Sequence, residues 1–230
     1  MKALDKSFID SSKIYELANK KEPSSNEIDE ILNSALKLKG LPINDVASLL
    51  NIKDETQINK LLKAAKTIKQ EIYGNRLVLF APLYISNFCF NNCPYCAFRN
   101  DNKSLTRAVL SQDNITSEVQ ALLKEGHKRV LLICGESNTN SFDYFLEAIK
   151  TTYAARYNEH YVRRINVEIA PLSVEEFKEL KSSKIGTYVC FQETYDPDLY
   201  KKYHQKGPKS NYENRLFVMD TAMEGGIDDV

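Results

Sequence analysis

Apolar residues recur at intervals of three and four through the first part of the chain, which is the spacing of one helix face. One such stripe occupies residues 28–36 and follows Ser24, a favoured N-cap residue. A longer stripe lies between Asp54, a second N-cap candidate, and Gly74, a favoured helix stop. The pattern predicts an N-terminal helical region over residues 1–75, whose apolar faces form core.

Beyond residue 76, short apolar runs alternate with longer amphipathic stretches. The first run, residues 77–85, is continuously apolar, as expected of a strand buried on both faces. Further strands are expected at 130–134, 165–169 and 187–191, and residues 227–230 look like the first residues of another. Helices are expected near 115–124 and at 142–157, 174–180 and 212–224.

This alternation is typical of parallel βα units and places the chain in the α/β class. Residues 76–230 provide about four such units and the start of a fifth. A complete (β/α)8 barrel takes about 200 residues or more, so the pattern predicts a partial TIM-type (β/α) barrel, the N-terminal half, after the helical region. We interpret the chain as incomplete, because it ends at Val230 within an expected strand.

The charge balance narrows the classes of partner. The chain has 31 basic and 31 acidic side chains, so its formal net charge is zero, without the broad basic surface typical of nucleic-acid or membrane binders. No apolar run approaches the roughly 20 residues of a membrane span, and the first residues do not resemble a signal peptide. The five cysteines are an odd number, which argues against a disulfide framework and favours a cytoplasmic protein.

Three of the cysteines, Cys89, Cys93 and Cys96, form a C-x3-C-x2-C motif directly after the first expected strand. Soft thiolates at this spacing suit three irons of an iron–sulfur cluster and leave a fourth iron open to a small ligand. A structural zinc site normally has four protein ligands, and the next candidate along the chain is the distant His127. A non-catalytic module that binds a cluster or zinc remains an alternative.

The motif, with an aromatic residue before its last cysteine, resembles the signature of the radical S-adenosylmethionine (SAM) enzymes. The resemblance implies a [4Fe-4S] cluster on Cys89, Cys93 and Cys96 whose open iron binds the amino and carboxylate groups of SAM. It also implies reductive cleavage of SAM to methionine and a 5′-deoxyadenosyl radical, which abstracts hydrogen from the substrate. Tyr95 occupies the position that contacts the adenine in the family, and Phe98 is expected to help.

A second element of that family is expected just beyond the second strand. Gly135-Glu136 resembles the glycine-rich GGE element that holds the SAM amino group, although Cys134 stands where its first glycine is expected. A residue without a side chain lets a ligand approach the backbone, and a carboxylate pairs with an ammonium group. An ordinary strand-to-loop turn is the alternative.

Further candidates lie at the ends of the later strands. Glu168 and Glu193 end the third and fourth strands, the edge that carries the site in barrels, and similar enzymes bind the SAM ribose or the substrate from such positions. Arg215 stands where related sequences hold the SAM carboxylate, with a helix-surface arginine as the alternative. The two histidines at positions 160 and 204 are expected at the surface.

Within the family the chain is most similar to the HydG group, the tyrosine lyases that mature [FeFe]-hydrogenases. The resemblance implies cleavage of the Cα–Cβ bond of L-tyrosine to p-cresol and dehydroglycine, and an electron donor such as ferredoxin or flavodoxin. That group makes CO and cyanide at a second, C-terminal cluster, whose cysteine pattern is not found in this sequence. The alternative group is ThiH, the 2-iminoacetate synthases of thiamine biosynthesis. The following segments carry the resemblance: 72–76, 79–87, 126–129, 191–195, 207–212 and 225–230.

Overall fold

The computed structural model describes residues 8–230. The chain divides into two compact units, of which the first ends at Val78 and the second spans Leu79–Val230. None of the helices in the described residues is both long and apolar enough to cross a membrane.

The first unit contains helices. They are α1 (Ser11–Ala18), α2 (Ser25–Ala35), α3 (Ile43–Leu50) and α4 (Glu55–Tyr73). The expected caps are present: the hydroxyl of Ser24 accepts a hydrogen bond from the Glu27 N–H, Asp54 caps α4, and Gly74 ends it at φ 58°. A small core including Ile28 and Leu32 joins α2 to α4. The helical region expected from the periodicity is therefore present over the described residues.

The second unit is built on a four-stranded parallel sheet in the order β1-β2-β5-β6. The order along the chain is β1 (Ala81–Ser86), α5 (Gln112–Lys124), β2 (Arg129–Cys134), α6 (Phe142–Ala154), the hairpin β3 (Arg156–Tyr157) and β4 (His160–Tyr161), β5 (Arg164–Glu168), α7 (Val174–Ser182), β6 (Tyr188–Val189), α8 (Pro197–Tyr203), α9 (Tyr212–Leu216) and α10 (Val218–Glu224).

The helices pack their apolar faces on this sheet, and the buried side chains form one cluster. Leu83 of β1 pairs with Leu132 of β2, which in turn pairs with Val167 of β5, and the latter two are fully buried. Because the strands are parallel, their carboxyl ends meet at one edge, where the loops after each strand converge. The α/β class and the partial TIM-type barrel expected from the sequence are confirmed.

The first strand differs from its prediction. Pairing with β2 begins at Ala81, and residues 77–80 lie outside the strand with at least half of each side chain exposed. Within β1 the burial alternates from Ala81 to Tyr84, so a strand buried on both faces was wrong. In the described part of the sheet β1 is an edge strand, with an isolated bridge from Ser86 to Val109 on its other side. Pro82 and Tyr84 are exposed on one face of the strand.

The end of the chain also differs. The helix expected at 212–224 is divided into α9 and α10, and residues 227–230 are not a strand. The backbone N–H of Tyr188 nevertheless donates to the carbonyl of Asp229 over 3.0 Å, so the last residues lie beside β6. Pattern alone did not predict the hairpin β3–β4, because two-residue strands carry no periodicity.

Candidate active site

A cavity of about 660 Å³ opens at the carboxyl edge of the sheet in the second unit. Its size falls within the range of small-molecule sites. All ten residues singled out from the sequence line it: Cys89, Cys93, Tyr95, Cys96, Phe98, Gly135, Glu136, Glu168, Glu193 and Arg215. The structure therefore brings residues from four strand ends and from α9 to one place.

The cysteines lie on the loop after β1, which its own residues hold in shape. The Arg107 guanidinium donates to the carbonyls of Asn87, Phe98 and Arg99, so it spans the loop from its start to its end. Cys93 is buried, whereas Cys89 and Cys96 are partly exposed to the cavity. The loop thus presents three thiol groups on one side of the cavity.

The chemistry of these donors bears on the kind of metal centre. Thiolates are the usual ligands of iron–sulfur clusters, so three thiols on one loop fit three irons of a cluster. A structural zinc site normally has four protein ligands, one more than the loop provides. Among residues 8–230, no three His, Cys, Asp or Glu side chains converge on a position for a single metal ion.

The end of β2 approaches the cysteine loop closely. A Cβ atom at Gly135 would lie 2.9 Å from the Cβ of Cys89 and against the carbonyl oxygen of Phe88, so only glycine fits there. The next residue, Glu136, accepts hydrogen bonds at Oε2 from Asn91 over 2.8 Å and from Arg215 over 2.7 Å. The pair expected from the sequence therefore faces the cysteine loop and the cavity.

Arg215 lies on α9 and is buried, so the helix-surface alternative was wrong. Its Nη2 pairs with Glu136, and its Nη1 donates a hydrogen bond to the sulfur of Cys190 over 2.7 Å. A buried guanidinium is stable only when it is paired and hydrogen-bonded, and both partners lie on the cavity wall. A cation and an anion are thus fixed side by side at the site.

The hydroxyl of Tyr95 is hydrogen-bonded to the buried ring of His204. The surface position expected for His204 was wrong, since only 1% of it is exposed. Its Nδ1 lies 3.0 Å from the Tyr200 carbonyl, which can only accept, so Nδ1 carries the proton. Burial lowers the pKa of His204 and keeps the ring neutral. Nε2 therefore accepts the hydroxyl of Tyr95 over 2.8 Å.

The expectation for the other histidine was right, because His160 is exposed in the hairpin. Phe98 and Tyr84 both line the cavity and pack edge to face with the ring centres 5.7 Å apart. Both rings give this part of the cavity an apolar surface.

Two further carboxylates line the cavity: Glu168 ends β5, and Glu193 lies on the loop after β6. Lys209, on the segment before α9, pairs through Nζ with Glu193 over 2.8 Å. Burial raises the pKa of Glu168, and the Glu193 charge adds to the effect while Lys209 opposes it. The sequence pattern singled out neither Lys209, which lies within the similar segment 207–212, nor Asn91; the structure adds both to the site.

The raised pKa of Glu168 predicts a dependence of stability on pH. A carboxyl whose pKa is higher in the folded state stabilises the fold below its unfolded value of 4.5, and this contribution is lost as the pH rises through the folded-state pKa. Glu168→Gln should therefore raise the urea midpoint relative to the unchanged chain at about pH 7, and the difference should shrink towards about pH 4. Glu159→Gln, in the exposed turn of the hairpin, is the matched control and should leave the urea midpoint unchanged at both pH values. A lower midpoint for Glu168→Gln at neutral pH would contradict the prediction.

Comparison with known proteins gives consistent results. Residues 83–230 match the profile of the Radical SAM superfamily. A crystal structure of HydG, a maturase of the [FeFe]-hydrogenase, is 45% identical over 97% of this chain and 49% of that chain, with a TM-score of 0.94. HydG from Carboxydothermus hydrogenoformans is 41% identical over 95% of this chain and 50% of that one, with a TM-score of 0.84.

A curated protein is also similar to this chain. The 2-iminoacetate synthase of Salmonella typhimurium strain LT2 is 30% identical over 209 residues, which are 89% of this chain and 52% of that protein. The chain thus spans about half the length of each of these relatives.

Proposed function

The chain belongs to the radical SAM superfamily, and we propose that it is a HydG-like lyase. In this proposal it cleaves the Cα–Cβ bond of L-tyrosine to p-cresol and dehydroglycine, for maturation of [FeFe]-hydrogenase. The observation that carries the proposal is the 45% identity to HydG across 97% of the chain. The match to 2-iminoacetate synthase is lower, at 30%.

Members of this superfamily use a [4Fe-4S] cluster and SAM, and the residues of the cavity fit both. Cys89, Cys93 and Cys96 would hold three irons, since thiolates are the usual cluster ligands and all three line the cavity. When bound, the two cofactors together supply one electron and the abstraction of a hydrogen atom from the substrate. A ferredoxin or flavodoxin is proposed as the source of the electron.

The ion pair of Glu136 with Arg215 suits the amino-acid end of SAM. A carboxylate and a guanidinium 2.7 Å apart present complementary charges to an α-ammonium and an α-carboxylate. Gly135 lets the cysteine loop pack against the end of β2, because a Cβ there would lie 2.9 Å from the Cβ of Cys89, and so keeps Glu136 beside that loop. Tyr95 and Phe98 would lie against the adenine, with Tyr95 oriented by its hydrogen bond to His204.

The remaining charges suit an amino-acid substrate or the SAM ribose. Lys209 provides a cation for a carboxylate, while Glu168 and Glu193 provide acceptors for an ammonium group or for ribose hydroxyls. The apolar wall around Tyr84 and Phe98 would suit an aromatic ring. In this proposal these groups bind and orient the substrate.

Product analysis tests the proposal. We expect the chain, reconstituted with iron and sulfide without oxygen and supplied with SAM, a strong reductant and L-tyrosine, to release p-cresol. L-phenylalanine in place of tyrosine is the control and should yield no p-cresol. Formation of 5′-deoxyadenosine without p-cresol, or of neither product, would contradict the proposed activity.

A second candidate, 2-iminoacetate synthase, is favoured by the similarity to the Salmonella enzyme. Because it shares the cleavage of tyrosine, p-cresol does not separate the two. Expression of the gene in a bacterial strain that lacks its own 2-iminoacetate synthase does so: growth without added thiazole would favour this candidate over HydG.

A further inference from the structure

The side chain of Asn91 has three polar partners on three different segments. Nδ2 donates to Oε2 of Glu136 over 2.8 Å and to the sulfur of Cys89 over 3.6 Å. Oδ1 accepts the backbone N–H of Lys209 over 2.8 Å. The residue is 3% exposed, so these partners replace water almost completely. One buried amide therefore links the cysteine loop, the end of β2 and the segment before α9.

The orientation of this amide follows from its partners. The N–H of Lys209 can only donate and the carboxylate of Glu136 accepts, so oxygen faces the former and nitrogen the latter. Both hydrogens of Nδ2 and the oxygen are then used. Aspartate would keep the acceptor but lose both donors, and alanine would lose all three interactions.

The surrounding backbone is built to let these groups meet. Gly207 has φ 90°, and a Cβ there would lie 2.7 Å from the Cα of Asn91 and 2.8 Å from the carbonyl oxygen of Phe90. The N–H of Asn92 donates a hydrogen bond to the Lys206 carbonyl over 3.2 Å, which also joins the cysteine loop to the segment before α9. Only a glycine at 207 brings Lys209 within reach of the amide.

We propose that Asn91 is a positioning residue that fixes Cys89 against Glu136 and Lys209 and raises the reduction potential of the cluster through its N–H···S hydrogen bond. The proposal rests on the proposed function, because it assumes that Cys89 binds iron. A hydrogen bond to a ligand sulfur stabilises the reduced cluster, which carries more negative charge. Removal of the bond therefore lowers the potential.

Two variants and a matched control test the electronic part. We expect the reconstituted cluster of Asn91→Ala to have a lower midpoint potential than the unchanged chain, and that of Asn91→Asp to be lower still, because its carboxylate also faces Cys89. Asn92→Ala is the control: its side chain accepts the N–H of Asp101 over 2.9 Å in the same loop and should leave the potential unchanged. Potentials are measured by EPR-monitored titration without SAM. Equal potentials for all four chains would overturn the proposal.

Hydrogen exchange tests the positioning part without metal. In the metal-free chain the Lys209 amide should exchange faster in Asn91→Ala and remain protected in Asn91→Asp, which keeps the acceptor, and in Asn92→Ala. Protection of the Leu132 amide in β2 shows that a variant is folded. If Asn91→Ala is unfolded, the midpoint potentials of Asn91→Asp, Asn92→Ala and the unchanged chain are compared instead. Unchanged exchange at Lys209 in folded Asn91→Ala would overturn the positioning role. Failure of the unchanged chain to assemble a cluster would instead contradict the proposed function.

Discussion

Replacing Cys93 by serine should prevent the chain from holding an iron–sulfur cluster and should reduce SAM cleavage to background. Cys93 is 5% exposed and is the middle one of the three cysteines on the loop after β1, all of which are proposed to bind iron. Its loss leaves two thiolates, and a hydroxyl is a poorer, harder ligand for iron in a cluster. Iron and sulfide content and the EPR spectrum after anaerobic reconstitution measure the first effect, and 5′-deoxyadenosine the second.

The control for this prediction is a cysteine from the same cavity. Cys134 ends β2 and lines the cavity but does not belong to the loop motif, so Cys134→Ala should bind as much iron and sulfide as the unchanged chain. Cluster content in Cys93→Ser equal to that of this control would contradict the assignment of the ligands. Zinc in place of iron in the purified chain would favour the non-catalytic alternative.

The ligand loop and the strand ends were predictable because their signals are local. Three cysteines within eight residues must lie on one short loop. An apolar run followed by a polar residue indicates the carboxyl end of a buried strand. Parallel strands bring such ends to a common edge. That is why the sequence predicts Glu136, the second residue after β2, and Glu168, the last residue of β5, at one site.

His204 shows what local signals miss. It stands in the run Lys201–Lys206, whose charges indicate a solvated helix end. Its burial results from contacts with Tyr200 and with Tyr95, and the latter is 109 residues away in sequence. The same holds for Asn91, whose bond to the Lys209 backbone joins residues 118 apart. Burial of polar residues by distant segments leaves no periodicity in the sequence.

The errors in the secondary structure have a related cause. The apolar run of residues 77–85 predicts a strand but does not specify where pairing starts, which the partner strand decides at Ala81. The apolar spacing of residues 212–224 fits one helix, yet the helix is interrupted at Phe217, where Arg215 is directed to Glu136. Tertiary contacts therefore determine both where Arg215 lies and where the helix over residues 212–224 is interrupted.

The burial of Arg215 predicts the largest change in stability. Arg215→Met should lower the free energy of unfolding by about 3–5 kcal/mol, because it leaves the partly buried carboxylate of Glu136 without its cation. The side chains of Arg215 and Glu136 are only 8% and 17% exposed, so water replaces the lost partner only in part. Urea unfolding measures the loss. Lys150→Met, which breaks an exposed pair with Glu147, is the matched control and should cost less than about 1 kcal/mol.

A double-mutant cycle separates the ion pair from the other contacts of Arg215. Glu136→Gln removes the carboxylate charge that Arg215→Met would leave unpaired. The loss of unfolding free energy caused by Arg215→Met should therefore be smaller in that background than in the unchanged chain. The part that remains is the lost contact with Cys190 and the lost packing of the side chain. An equal cost in both backgrounds would show that the pair does not stabilise the fold. Because the same two residues are proposed to bind the amino-acid end of SAM, either single variant should also weaken SAM binding to the reconstituted chain, whereas Lys150→Met should not.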